Sequence, residues 1–214
     1  MDEAATRERV AAEFFMHYGR IPSMKTALLA SYEKDEHVVK LGRLLLDNSW
    51  NILASAGTAK FLNENKITAR DVSEIVGPPI LGHRVVTLSR ELHAGLLATD
   101  ADQAELDKLG VPRIDLVYVT FYPLEQALAD AAVTELEVIE KTDIGGPTLL
   151  RAAAKGRRLV LSNASQIEEV VPYLKEGGEE KDKERFISKL VAAAERRVAD
   201  YVDASASYWE SRTT

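Results

Sequence analysis

The run Ile114-Asp115-Leu116-Val117-Tyr118-Val119-Thr120, bounded by Pro112 and Pro123, limits the possible folds of this chain more than any other segment. A nearly continuous series of β-branched, aromatic and aliphatic residues favours a strand. A strand apolar on both faces must be covered on both, as in a parallel sheet wrapped by helices. Shorter runs of similar character lie at Thr26–Ser31, Asn51–Ser55 and Arg158–Ser162, with a weaker one at Ile67–Val72. Segments with helical spacing alternate with them, over 35–47, 59–64, 88–97, 102–109, 124–130, 134–140, 165–175 and 184–209. The last places Ile187, Leu190, Val191, Ala194, Val198 and Tyr201 on one face, and a charged loop over 177–183 is expected before it. The alternation predicts a three-layer α/β fold with a mostly parallel sheet flanked by helices. Residues 2–19 read as a further helix stopped by Gly19, so the expected organisation is an N-terminal helical extension (1–24) and one α/β domain (25–214).

Composition narrows the function. With 34 acidic and 27 basic residues the net charge is −7, which argues against nucleic acid as a partner. There is no cysteine, so disulfides, thiolate metal sites and a cysteine nucleophile are excluded. The four histidines, His17, His37, His83 and His93, lack metal-ligand spacing, so no metal is expected. No apolar run reaches membrane-span length and no signal-peptide core is visible, so no membrane partner and a cytoplasmic location are expected. Apolar helix faces at both termini point to a homodimer.

Three stretches carry candidate chemistry. Thr142-Asp143-Ile144-Gly145-Gly146-Pro147 reads as a glycine turn opening a helix that ends near Lys155. Paired glycines let a ligand approach main-chain N–H groups, and a helix start is a ready oxyanion site. The same pattern taken alone also fits a plain capped helix with a terminal lysine complementing the dipole. Ser55-Ala56-Gly57-Thr58, between a strand and a helix, has the form of a phosphate cradle, with Lys34 as a candidate counter-charge. The long irregular segment 76–90 offers Arg84 and Thr87, and Tyr122 falls at a strand end where ligands of open α/β sheets sit.

Taken in order, the motifs S-A-G-T-A-K (55–60), D-V-S-E-I-V-G (71–77), H-A-G-L-L-A (93–98), I-D-L-V (114–117), Y-P (122–123) and D-I-G-G-P-T-L-L-R-A-A-A-K (143–155) resemble the IMP cyclohydrolase domain of the bifunctional purine-biosynthesis enzyme. The resemblance covers residues 26–209 and implies a methylglyoxal-synthase-like fold. It implies ring closure with loss of water on a formylated aminoimidazole carboxamide ribonucleotide: a hydrolase acting on cyclic amidines, run in the ring-closing direction, with a small nucleotide-like substrate and no cofactor. Carried over by position, Asp143 and Lys155 match the family's acid–base pair, and Tyr122 the tyrosine near the formyl group. The amides of Ile144, Gly145 and Gly146 would face the base. Lys34, Ser55, Gly57 and Thr58 match the phosphate end, and Arg84 and Thr87 the pocket loop.

The chain departs from the family pattern on the ligand side. The family loop R-V-K-T-L-H-P is Arg84-Val85-Val86-Thr87-Leu88-Ser89-Arg90, so its lysine is Val86. S-V-S-D-K is Ala30-Ser31-Tyr32-Glu33-Lys34, and N-L-Y-P is Thr120-Phe121-Tyr122-Pro123. Three functions are therefore weighed: a cyclohydrolase, a diverged paralogue catalysing a related cyclisation or dehydration in a specialised nucleoside-type pathway, and a non-catalytic nucleotide-binding protein.

Overall fold

The computed structural model describes residues 24–82, 84–175 and 180–213; the helix expected over 2–19 lies outside them. Five strands, β1 (Thr26–Ser31), β2 (Asn51–Ala54), β3 (Arg70–Asp71), β4 (Leu116–Thr120) and β5 (Leu159–Leu161), form one sheet in the order β3-β2-β1-β4-β5. Every pairing between them is parallel. β1 is central, and Ala27, Leu28, Leu29, Val117, Val119, Val160 and Leu161 are all buried, as a sheet covered on both faces requires.

The helices are α1 (Glu36–Asp47), α2 (Ala56–Glu64), α3 (Ser73–Val76), α4 (Arg90–Leu97), α5 (Gln103–Leu109), α6 (Leu124–Leu128), α7 (Glu135–Lys141), α8 (Gly145–Lys155), α9 (Gln166–Leu174) and α10 (Glu180–Glu210). On one flank α1 packs against α2 and α9; on the other α8 packs against α4 and α10. Local chemistry explains the helix starts. The Asp35 carboxylate caps α1 by accepting from the N–H groups of His37 and Val38, at 3.1 and 3.2 Å. Thr134 and Glu137 form a capping box that opens α7. In α8, Pro147 sits in the first turn, where its missing N–H costs nothing, and Ala152, Ala153 and Ala154 give a thin buried face.

Three expectations about the elements are corrected. The helix expected from Ala59 begins at Ala56, so Ser55 is its N-cap residue and Gly57 lies within its first turn. The strand expected over Ile67–Val72 pairs only through Arg70 and Asp71. Glu180–Lys183, expected in a charged loop, are the first turn of α10. Acidic residues at a helix N-terminus are favoured by the helix dipole, and their solvated charge looks the same in sequence as a loop.

The sheet order fixes where a ligand can lie. From β1 the chain winds outward through β2 to β3, then returns to the other side of β1 for β4 and β5. The winding reverses between β1 and β4, and in open α/β sheets the crevice beyond the C-terminal ends of strands at that reversal is the ligand site.

Candidate active site

Ser31 and Thr120 are register partners at the ends of β1 and β4, and their hydroxyls are 2.8 Å apart. The residues that follow each strand meet: the Tyr32 and Tyr122 rings pack edge-on with centroids 5.2 Å apart. Tyr122 is 39% exposed, and its phenol lies near enough to Asp143 to feel that carboxylate's charge.

Asp143 enters the same crevice from the turn before α8. Its Oδ1 accepts from the N–H of Gly146 at 3.0 Å. Its own N–H donates to the Tyr201 hydroxyl at 2.7 Å, and that hydroxyl donates to the Lys141 carbonyl at 3.0 Å. Burial pushes the Asp143 carboxyl above its ordinary pKa, against the opposing pull of the N–H groups of Gly146, Tyr122 and Gly145. The Tyr122 phenol is likewise raised, by burial first and then by Asp143 and Tyr32. A carboxylate more basic than usual beside a phenol that holds its proton is the equipment for moving protons near neutral pH.

The two glycines after Asp143 are required by space. A Cβ on Gly145 would lie 2.5 Å from the Thr87 Oγ1, and one on Gly146 would lie 2.6 Å from the Asp143 Oδ2 and 2.9 Å from the Phe121 ring. Thr87 of the long loop thus seats directly on the glycine turn. Ile144 has a solvent-facing side chain, and its carbonyl accepts from the Thr148 hydroxyl at 2.7 Å.

The second half of the crevice lies at the ends of β1 and β2. Ser55 precedes α2, and the exposed Ala56 and Gly57 open its first turn. Lys34 lies over Gly57, with its Cε 3.5 Å from where a Cβ would stand. The Lys34 ammonium donates to the carbonyls of Ser31 and Tyr32, and burial lowers its pKa. Amide N–H groups at a helix start beside an ammonium form an anion site. The Thr58 side chain is not part of it. That hydroxyl is buried, donates to the Ser31 carbonyl at 3.2 Å and accepts from the Ser31 N–H at 3.1 Å and the Ser55 hydroxyl at 3.0 Å.

The pairing of Asp143 with Lys155 is corrected. The two flank one unbroken helix, Gly145–Lys155, and at about 1.5 Å rise per residue its ends are roughly 15 Å apart. Asp143 is at the C-terminal edge of the sheet, whereas exposed Lys155 is four residues before β5, at the opposite edge. Lys155→Ala is therefore expected to leave turnover within a few-fold of wild type, as steady-state assays would show.

Arg84 is also turned away, pairing with Glu140 at 3.0 Å and tying the loop to α7. Val86 packs against the main core, and the Ser89 side chain caps α4 by accepting from the Leu92 N–H at 3.1 Å. Val86 and Ser89 thus have structural roles here. The sequence did not single out Lys141, whose ammonium lies 6.0 Å from the Tyr32 ring centroid, or Tyr201, which holds the turn. Tyr201→Phe strands the Asp143 N–H and the Lys141 carbonyl, so a loss of about 1–3 kcal/mol is expected in urea denaturation.

A cleft of about 480 Å³ lies on the outer side of the glycine turn, between α8 and α10, lined by Ile144, Pro147, Arg151, Val198 and Val202 among others. It reaches Asp143 from behind and does not include Tyr122, Lys34 or the start of α2. The groove also presents Tyr201 and Arg151, but the Tyr122 phenol, Lys34 and the amides at the start of α2 lie at the strand ends instead.

Residues 37–148, from α1 to the first turn of α8, match the family model described as the MGS-like domain. The chain belongs to the MGS-like domain family. It is 37% identical over 184 residues to the bifunctional purine biosynthesis protein PurH of Bacillus cytotoxicus, a match covering 83% of this chain and 36% of that protein. It is 40% identical over 161 residues to PurH of Synechocystis sp., covering 72% and 32%, and 40% identical over 157 residues to PurH of Aquifex aeolicus, covering 71% and 31%. The chain thus spans about a third of the length of these curated relatives. Among solved structures it is similar to ForH, with a TM-score of 0.73 and 31% identity over 86% of this chain and 98% of that one. The resemblance carried by the ordered motifs and the MGS-like α/β fold are both borne out. No helix among the described residues is long and apolar enough to cross a membrane.

Proposed function

We propose that this MGS-like protein is a cyclohydrolase-type enzyme that closes the six-membered ring of a formylated aminoimidazole carboxamide ribonucleotide to give the purine of IMP, with loss of water. The observation that carries it is the Asp143 carboxylate, half-buried and raised in pKa, held by the Gly146 N–H beside the Tyr122 phenol at the sheet's reversal point. The likeness to PurH along 83% of the chain supports the substrate class.

The carboxamide nitrogen attacks the formyl carbon and forms the new C–N bond. Asp143 takes one proton from that nitrogen and passes it to the formyl oxygen, which becomes a hydroxyl. Tyr122 donates the second proton, with which that hydroxyl leaves as water. The formamide N–H proton passes to the Tyr122 phenolate as the C=N bond forms, so carboxylate and phenol both end in their starting states. The Gly145 and Gly146 N–H groups, expected from sequence to face the base, are instead turned to the Asp143 carboxyl and hold it in place. The amides at the start of α2, with Ser55 and Lys34, take the 5′-phosphate. Holding both reacting groups of one molecule face to face supplies much of the acceleration. Thr87 forms the loop side of the pocket through its seat on Gly145, while Arg84 ties that loop to α7 through Glu140.

A second function, a related cyclisation on a different nucleoside-like compound, is favoured by Tyr32, which stands with 41% of its surface exposed where the family pattern has a serine. Incubation with the formylated ribonucleotide separates the two: appearance of purine absorbance is expected. No turnover together with no rise in melting temperature would favour the second substrate. A melting shift without turnover would favour a binding protein. The proposed enzyme works as a homodimer, and light scattering should give a dimer mass.

A further inference from the structure

Tyr32 leaves β1 at the sheet's reversal point with its backbone clamped from two sides. Its N–H donates to the Thr120 carbonyl at 3.2 Å and lies 2.9 Å from the Thr120 hydroxyl, while its carbonyl accepts from Lys34 at 3.2 Å. The Lys141 ammonium sits over its ring, 6.0 Å from the centroid. The Tyr122 backbone is also held, its N–H by the Asp143 carboxyl and its carbonyl by the Leu124 N–H at 2.8 Å, but its ring is open on one side. It lies in the short connection Phe121–Pro123 between β4 and α6, and 39% of its surface is open. An aromatic ring on a short exposed connection keeps several rotamers unless something packs against it. Here the Tyr32 ring does so, with rings inclined at 61° and centroids 5.2 Å apart, the edge-to-face geometry aromatic pairs prefer.

We propose that Tyr32 is a positioning residue for Tyr122: fixed by Thr120 and Lys34 and backed by Lys141, its ring holds the Tyr122 phenol beside Asp143. This rests on Tyr122 and Asp143 being the reacting groups of the proposed ring closure. Two consequences separate positioning from simple packing. The ring excludes water from one side of Tyr122, and burial is the foremost cause of that phenol's raised pKa, ahead of Asp143 and Tyr32 as neighbours. The charged groups nearby are Asp143 from the turn before α8, Lys141 from α7 and Lys34 from the β1 exit, the last two against Tyr32. Removing the Tyr32 ring admits water, stabilises the phenolate and moves the titration of Tyr122 down. Tyr32→Phe keeps the ring and removes only the Tyr32 phenol, the smallest of the three causes of the raised pKa, so it should lie close to wild type.

The test uses the full chain labelled with 3-fluorotyrosine, whose phenol titrates lower and stays clear of alkaline unfolding. The Tyr122 fluorine resonance is assigned with Tyr122→Phe and titrated in wild type, Tyr32→Phe and Tyr32→Ala. A downward midpoint shift in Tyr32→Ala, with Tyr32→Phe close to wild type, is expected. In turnover, Tyr32→Ala should lower kcat by about 10- to 100-fold with little change in KM. That loss should vanish in a Tyr122→Phe background. An unchanged Tyr122 midpoint in Tyr32→Ala, or the same kcat loss with and without the Tyr122 hydroxyl, overturns the assignment. Wild-type protein without turnover would defeat the proposed reaction alone, because the fluorine titration still decides what Tyr32 does to Tyr122.

Discussion

Asp143→Asn is expected to lower turnover of the formylated ribonucleotide by about 10²- to 10⁴-fold, the usual cost of losing a positioned general base. The amide fits the same space and its oxygen can still accept from the Gly146 N–H, but it cannot take a proton. Binding should therefore change much less than kcat. The wild-type pH profile carries the same signature. Burial raises the carboxyl, so the acid limb of kcat/KM should fall above the ordinary carboxylate value of about 4. As pH drops through the raised value the base becomes protonated and the rate falls; the residual rate of the Asn variant should lack that limb. Stability runs the opposite way. The folded state holds this proton more tightly than the unfolded chain, so across the window from the ordinary to the raised value this group's contribution to stability falls as pH rises. Urea denaturation over that window, compared with Asp143→Asn, checks the sign.

Gly146→Ala is expected to damage both the site and the fold. The added methyl would meet the Asp143 Oδ2 at 2.6 Å, the Phe121 ring at 2.9 Å and Val119 at 3.2 Å. Neither side can retreat freely: Phe121 packs edge-on against Tyr201 at 4.8 Å, and the Tyr201 hydroxyl holds the Asp143 N–H. Overpacking of this kind costs about 1–3 kcal/mol. A displacement of the carboxylate by about an ångström would lower kcat by roughly 100-fold. Gly57→Ala is the control, since its Cβ would meet Lys34 at an ordinary 3.5 Å, and that variant should keep wild-type stability. Paired denaturation and turnover measurements on the two variants test both statements.

Much of the fold was legible because burial and period leave marks in sequence. β4 could be read from its β-branched run, and α10 from the spacing of Ile187, Leu190, Ala194 and Tyr201, all buried in the structure. The start of α2 was not legible, because Ala56-Gly57-Thr58 has weak helical preference and becomes helical through its place after β2. In the site, Asp143, Gly145 and Gly146 stood out as a local motif, and the structure brings them to the same crevice as Tyr122. Lys155 was misplaced because closeness in sequence is not closeness in space; an intervening helix separates its ends by its own length. Tyr32 was visible as a departure from the family pattern, but its contact with Tyr122, and the role of Lys141, were not, for the converse reason. Tyr32 meets Tyr122 only because β1 and β4 pair with Ser31 opposite Thr120, a register that no local pattern announces.

A crystal structure with IMP bound tests the central claim most directly. The base should lie in the crevice between β1 and β4, its newly closed edge against Asp143 and Tyr122. Its 5′-phosphate should rest on the start of α2 beside Lys34. IMP seated instead in the groove between α8 and α10, or bound with its base remote from Asp143 and Tyr122, would contradict the account.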